Sequence, residues 1–419
     1  MCLLLWRPID IPPFHLEILR VSFDPVEILR RLVSIPSVNP MGRQESAPEL
    51  GEARLTEHLD RELTALGLRT FRQAVAPGRE NLFARLDGAV SPERGGELIV
   101  FDAHQDTVPA DGMSIEPWKA EIRGGRLYGR GACDTKGGMA AMIAAVARLA
   151  AERPPDMPTI LLACTVDEEY HLAGAGALAA AWRGGQLPGL SRPASAAVVA
   201  EPTGLDVVVA HKGVIRWRCH AHGRAAHSSQ PHEGENAVYK MARIVSAVEE
   251  FGRENLARRP AHPRCGPWTL NVGTIHGGSS INIIPDRCTI EIEIRAAPGG
   301  DCRAAREDLI VYLANQPAVA GTAEHDPAYM EGPPLSDATN AALAGRLAAC
   351  VTAAGNRCLL RGVPYATNAA FYDSLGIPAV VFGPGSIEQA HTADEWIPLD
   401  ELHRAAEILY DFARTWRPL

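Results

Sequence analysis

Five residues carry the strongest chemical signal in this chain: His104, Asp134, Glu169, Glu201 and His391. Two imidazoles and three carboxylates suit a pair of hard-to-borderline divalent ions. With one bridging carboxylate, each ion gets one imidazole, one terminal carboxylate and a share of the bridge. Two such ions about 3.5–4 Å apart can activate a water between them and clamp a reacting oxygen. Glu168, next to Glu169, is then a surplus carboxylate. It can take the proton of that water and hand it to a leaving amine. Asp106 follows His104 by two residues, so the two side chains share one side of an extended backbone. A carboxylate there can fix the imidazole tautomer and strengthen its free nitrogen as a ligand.

Taken singly, each residue has a blander reading: a surface histidine beside a turn carboxylate, or a capping aspartate at Asp134. Their shared setting argues otherwise. The runs 98–103, 159–166, 194–200 and 379–382 are apolar and near-continuous, as buried strands are. They end in His104, in Asp167-Glu168-Glu169, in Glu201-Pro202, and in a Gly383–Ser386 loop followed by His391. Helical patterns at 25–34, 48–66 and 139–152 and strands at 69–74 and 81–86 surround them. This predicts an α/β fold, a mostly parallel sheet flanked by helices. Sites in such folds gather outside the carboxyl ends of the strands.

The middle of the chain differs. Residues 214–223, 268–275 and 287–295 alternate polar and apolar, 235–251 and 301–315 read as helices, and 324–329 reads as a last strand. A βαββαβ order predicts an inserted α+β, ferredoxin-like domain with one wet sheet face. We place it at 211–328, as a lid and dimerisation domain, between catalytic segments 23–210 and 329–419. Residues 1–22 read as an N-terminal extension, too short in its apolar run for a signal peptide.

The chain has 419 residues, 46% hydrophobic and 22% charged, with a formal net charge of −9 and no dense Lys/Arg block. A nucleic-acid partner is therefore not expected. Nor is a membrane, since no apolar run reaches the roughly 20 residues a span requires. Nine cysteines without a CxxC pair indicate reduced thiols and a cytoplasmic location. Cys133 beside Asp134 invites a reactive-thiol reading, but no histidine stands near it in sequence. The glycine-rich stretch 129–138 does not match the spacing of a phosphate-binding loop.

Seven motifs together resemble the M20 family of metallopeptidases and deacylases: AHQDTVP (103–109), GRGACDTKGG (129–138), TVDEE (165–169), EPT (201–203), GRAAHSSQP (223–231), GSSINIIPDRC (278–288) and GPGSIEQAHTADEW (383–396). The resemblance covers nearly all of the chain from about residue 23. It departs at Ala103, where the family usually has glycine. The resemblance implies that His104 and Glu201 bind one ion, Glu169 and His391 the other, and Asp134 both. It further implies that Asp106 orients His104 and that Glu168 is the general base. His227 would act across a homodimer interface to polarise the carbonyl of the partner's substrate, and Asn282 and Arg295 would contact substrate. The implied reaction is hydrolysis of the acyl amide of an N-acyl amino acid, most like the acetylornithine deacetylase branch. The alternatives are a succinyl-diaminopimelate desuccinylase-like enzyme, a dipeptidase or a carboxypeptidase. Zinc is the default ion, with cobalt or manganese as alternatives, because mixed N/O ligands discriminate poorly. A non-catalytic binding protein on this fold would have lost a ligand or the base, and here none is missing.

Overall fold

The computed structural model describes residues 23–43, 47–188 and 192–418, so the expected extension over 1–22 lies outside the described residues. Helices α1 (Pro25–Val33) and α2 (Ala53–Ala65) come first, followed by strands β1 (Arg69–Ala76), β2 (Arg79–Leu86) and β3 (Leu98–His104). A small hairpin, β4 (Glu121–Arg123) and β5 (Arg126–Tyr128), precedes α3 (Lys136–Glu152) and β6 (Thr159–Thr165). Then come α4 (Ala173–Arg183), β7 (Ala196–Val199) and β8 (Val207–His211). The middle segment holds β9 (Gly213–His222), α5 (Ala237–Glu254), β10 (Thr269–Gly277), β11 (Arg287–Ala296), α6 (Cys302–Ala314), β12 (Ala323–His325) and β13 (Met330–Gly332). The chain closes with α7 (Ala341–Ala353), β14 (Leu360–Val363), α8 (Ala369–Asp373), β15 (Ala379–Val381), β16 (Trp396–Pro398) and α9 (Leu399–Arg414).

The main sheet runs β1-β2-β6-β3-β7-β15-β8-β14. Its centre, β6-β3-β7-β15, is parallel, and antiparallel pairs appear only toward the edges. Strand β3 is buried along its whole length. Because side chains alternate across a strand, Ile99, Phe101 and Ala103 pack into the core under α1, α2, α3 and α9. Leu98 and Val100 face the opposite core, with α4 and α8. Both faces being covered explains the unbroken apolar runs. Each fully buried Leu, Ile or Phe stabilises the fold by about 1.5–3 kcal/mol. In the parallel register His104 stands opposite Thr165, and Asp102 opposite Val199. The residues just beyond β3, β6 and β7 therefore emerge at one edge.

Helix α1 is started by Asp24, whose carboxylate accepts from the Val26 N–H at 2.9 Å, with proline in its first turn. Its C-terminal end is fastened by the fully buried Lys136, which donates to the Leu32 and Ile35 carbonyls at 3.0 and 2.8 Å. Burial pushes that ammonium down to about 7. The link docks α1 against the start of α3, two residues past Asp134.

The second sheet runs β10-β11-β9-β12, with β13 also on β9. Trp217, Ile290, Ile292 and Ile294 turn one face into a core with α5 and α6. The other face carries cross-strand charge pairs, Arg216 to Glu293 at 2.6 Å and Arg218 to Glu291 at 3.1 Å. The strand expected over 324–329 is instead two pieces interrupted at Pro327, which has no N–H for the ladder. The helix expected from residue 48 begins at Ala53, because Gly51 sits at φ +79°. Strands β8 and β14 were not expected; β8 comes just before the strands of the second sheet and β14 is largely exposed.

Candidate metal centre

His104 is the last residue of β3 and is buried. Its Nδ1 donates to the Asp106 carbonyl oxygen at 2.9 Å, which leaves Nε2 facing the cluster, 3.1 Å from Asp134 Oδ1. The Asp106 carboxylate was expected to orient this ring, but it lies 3.7 Å from Nδ1. It is committed elsewhere: it accepts from Asn39 Nδ2 at 2.7 Å and from the N–H groups of Glu168 and Glu169, both at 3.1 Å. The main chain of Asp106 thus sets the imidazole, and its side chain holds the turn bearing the two glutamates.

That turn follows β6. Asp167 takes a left-handed conformation, φ +62°, and its carboxylate accepts from Asn39, Arg79 and His171 at 2.8–2.9 Å. The Asp167 turn directs Glu168 and Glu169 toward His104. Glu201 emerges beyond β7 and is buried. Asp134 lies just before α3, where a Cβ on Gly138 would come within 2.7 Å of Ala200 Cβ. Only glycine permits that approach of α3 to the end of β7. His391, at φ +61° and half exposed, points Nε2 at Glu169 Oε2 (3.2 Å) and Asp134 Oδ2 (3.4 Å).

The structure therefore brings His104, Asp134, Glu168, Glu169, Glu201 and His391 together. Donor atoms of His104, Glu168 and Glu201 lie within 4.8 Å of one another, as do those of His104, Asp134 and Glu169. Loss of solvent and mutual repulsion hold the carboxyls of Glu168 and Glu201 well above their ordinary range. The same causes, with Asp134 the main neighbour, raise Glu169 to about 7. Burial also works against an ionised Asp134, but contact with His104 and His391 outweighs it and holds that carboxyl low. His391 rises to about 11 through Asp134 and then Glu169. Burial opposes the charged form of His104, yet the surrounding carboxylates raise it well above its usual value. Among the described residues no lysine or arginine pairs with Asp134, Glu168, Glu169 or Glu201. Four crowded carboxylates beside two imidazoles are the donor chemistry of divalent cations, and the residues present fit such ions.

The other predicted site residues lie apart. His227 is exposed, with Nδ1 2.7 Å from Ser229 Oγ. Asn282 is exposed on the neighbouring segment, where its carbonyl accepts from the Ser228 N–H at 3.0 Å. Arg295 pairs with Glu293 at 2.9 Å. Among the described residues none of the three hydrogen-bonds to the cluster. Sequence reasoning assigned no role to Asn39, Asp167 or Glu395. Asp167 and Glu395 sit inside the quoted motifs; Asn39 had no signal beyond an Asn-Pro turn.

A family model described as peptidase family M20/M25/M40 matches residues 100–415. An acetylornithine deacetylase from Myxococcus xanthus is 32% identical over 338 residues, covering 78% of this chain and 82% of its own. Among solved structures, an M20 family metallo-carboxypeptidase from Sulfolobus solfataricus superposes with a TM-score of 0.75 at 18% identity, covering 93% of this chain and 98% of its own. A dinuclear metal-binding peptidase of the M20 family from Bacillus subtilis superposes at 0.64, also at 18% identity, with 94% and 98% covered.

Proposed function

Since this chain belongs to peptidase family M20/M25/M40 and is a metal-dependent hydrolase of linear amide C–N bonds, we propose that it removes the acyl group of an N-acylated amino acid, using two divalent ions. His104 and Glu201 would hold one ion, Glu169 and His391 the other, and Asp134 would serve both. We assign zinc, which suits imidazole and carboxylate donors; cobalt and manganese share that chemistry. When bound, the pair supplies Lewis-acid polarisation of the amide carbonyl and a more acidic water. Glu168 takes the proton of the attacking water and delivers it to the departing amine nitrogen. The Asp106 carboxylate keeps Glu168 aimed by holding its N–H.

The segment expected at 211–328 forms the lid in this reading, although its sheet runs from Gly213 to Gly332, because His211 ends a strand of the main sheet and β13 also pairs with β9. Two copies pair through it. His227 then donates to the carbonyl oxygen of the substrate in the partner subunit, an electrophilic contact opposite the ions. Arg295 takes the substrate carboxylate by paired hydrogen bonds, and Asn282 lies beside it. Free thiols at every described cysteine accord with a cytoplasmic enzyme.

The observation that carries the proposal is the cluster of four carboxylates and two imidazoles, with no lysine or arginine among the described residues pairing with the carboxylates. The N-acyl substrate draws on the 32% identity to an acetylornithine deacetylase. Likeness to a metallo-carboxypeptidase favours peptide cleavage as the second reading; the chemistry is common to both and only the pocket differs. A panel of N-acetyl, N-succinyl and N-formyl amino acids against dipeptides, with zinc, cobalt and manganese in turn, tests the proposal. Highest kcat/KM on an N-acyl amino acid supports it. Dipeptides turned over ahead of every acyl substrate overturn it in favour of the second reading.

A further inference from the structure

We infer that Glu395 is a positioning residue for the metal centre: its carboxylate holds the Asp134 turn and the His391 segment in one register. The inference rests on the ligand set proposed above. Glu395 lies four residues past His391 and is fully buried. Its Oε1 accepts from the N–H groups of Cys133 and Asp134 at 2.9 and 3.0 Å. Its Oε2 accepts from the Gly131 N–H at 3.0 Å and from Arg130 Nη1 at 2.6 Å. Its own carbonyl accepts from the Gly129 N–H at 3.0 Å. Arg130 extends the tie, donating to the Pro109 carbonyl at 3.1 Å and to the Thr392 carbonyl at 3.4 Å.

One ion pair thus connects three segments: the one after His104 and Asp106, the one ending in Asp134, and the one carrying His391. Both carboxylate oxygens are engaged by N–H donors, so Glu395 acts through Asp134 and His391 instead of as a ligand. Charge-assisted bonds of this kind are strong and directional. Groups that orient metal ligands typically contribute 10- to 100-fold in affinity. Glutamine is nearly isosteric but puts an NH2 where two donors already point, whichever way it is turned.

The experiment is calorimetric titration of zinc into metal-free wild type, Glu395→Gln, Arg130→Met and Asn340→Ala, with thermal melts of each metal-free protein. Asn340 is equally buried and donates to the Val209 and Ala379 carbonyls at 2.9 and 2.8 Å, away from the 129–134 loop. Glu395→Gln is expected to weaken zinc binding about 10- to 100-fold. Its kcat should recover toward wild type at saturating zinc. Arg130→Met, which keeps the three backbone bonds to the Glu395 carboxylate, is expected to shift the isotherm less, in the same direction. Asn340→Ala should lower the melting temperature with the wild-type isotherm retained. A Glu395→Gln isotherm that overlays wild type overturns the inference. So does an equal loss of zinc affinity in Asn340→Ala, which would reduce the effect to general destabilisation. Should Glu395→Gln not fold, Arg130→Met decides alone, and an unshifted isotherm overturns the inference. A wild type that takes up no zinc refutes instead the metal centre on which it rests.

Discussion

Asp106→Asn tests how the centre is aimed. The Asp106 carboxylate is fully buried and accepts three hydrogen bonds, from Asn39 Nδ2 and from the N–H groups of Glu168 and Glu169. An asparagine oxygen can replace only one of the two carboxylate oxygens. Turned to keep Glu169 and Asn39, which share Oδ2, it presents an NH2 to the Glu168 N–H. One charge-assisted bond is then lost and one inward-facing N–H is left without an acceptor, together about 2–3 kcal/mol. If that energy falls on the position of Glu168, turnover drops roughly 30- to 150-fold at 1.4 kcal/mol per decade. The bond from His104 Nδ1 goes to the Asp106 carbonyl, which the substitution leaves in place. Zinc affinity should therefore change less than about 10-fold, below the loss typical when a ligand's orienting partner is removed. The assays are kcat and KM on the best acyl substrate at saturating zinc, a zinc titration, and urea unfolding. Wild-type turnover together with wild-type stability would refute the assigned anchoring. A large loss of zinc affinity with turnover intact at saturation would show that the carboxylate serves His104 after all.

Glu168→Gln should lower kcat by about 10²- to 10⁴-fold while zinc binding persists, the usual range for a lost general base; wild-type turnover with zinc bound removes Glu168 from that role. Chelation should lower the melting temperature, since the ions neutralise the crowded carboxylates only in the folded state. Zinc at 100 times its Kd adds about 2.7 kcal/mol per site, read by scanning calorimetry, and an unmoved melt speaks against folded-state binding. His211 is buried and neutral, its Nδ1 donating to the Lys212 carbonyl at 2.9 Å and its Nε2 accepting from the Thr367 N–H at 3.3 Å. Burial pushes it down to about 4 from an ordinary 6.5, so below 6.5 the unfolded chain binds the proton more readily. Stability from this group is complete above pH 6.5 and is lost as pH falls toward 4, in total about 3 kcal/mol. His211→Gln should flatten the pH slope of urea stability across that window, and an unchanged slope contradicts the buried neutral ring.

Much of the fold was legible in order along the chain, because period and length report burial directly. The runs that became β3, β6, β7 and β15 are apolar throughout since helices cover both faces of their sheet. Strand β11 alternates since only one face of its sheet is covered. The residues at the strand ends were legible as candidates for the same reason: a parallel sheet delivers His104, Glu168, Glu169 and Glu201 to one edge. What remained hidden depends on partners far away in sequence. That the Asp106 carboxylate serves the glutamate turn, and its carbonyl the imidazole, follows from where β6 ends beside β3 and where Asn39 reaches in. Glu395 has no local periodicity, and its importance lies in four donors more than 250 residues earlier. A sequence states which groups are available and how each segment alternates; only packing determines which buried acceptor meets which donor, because that pairing is chosen by three-dimensional proximity and enforced by the cost of leaving either unsatisfied.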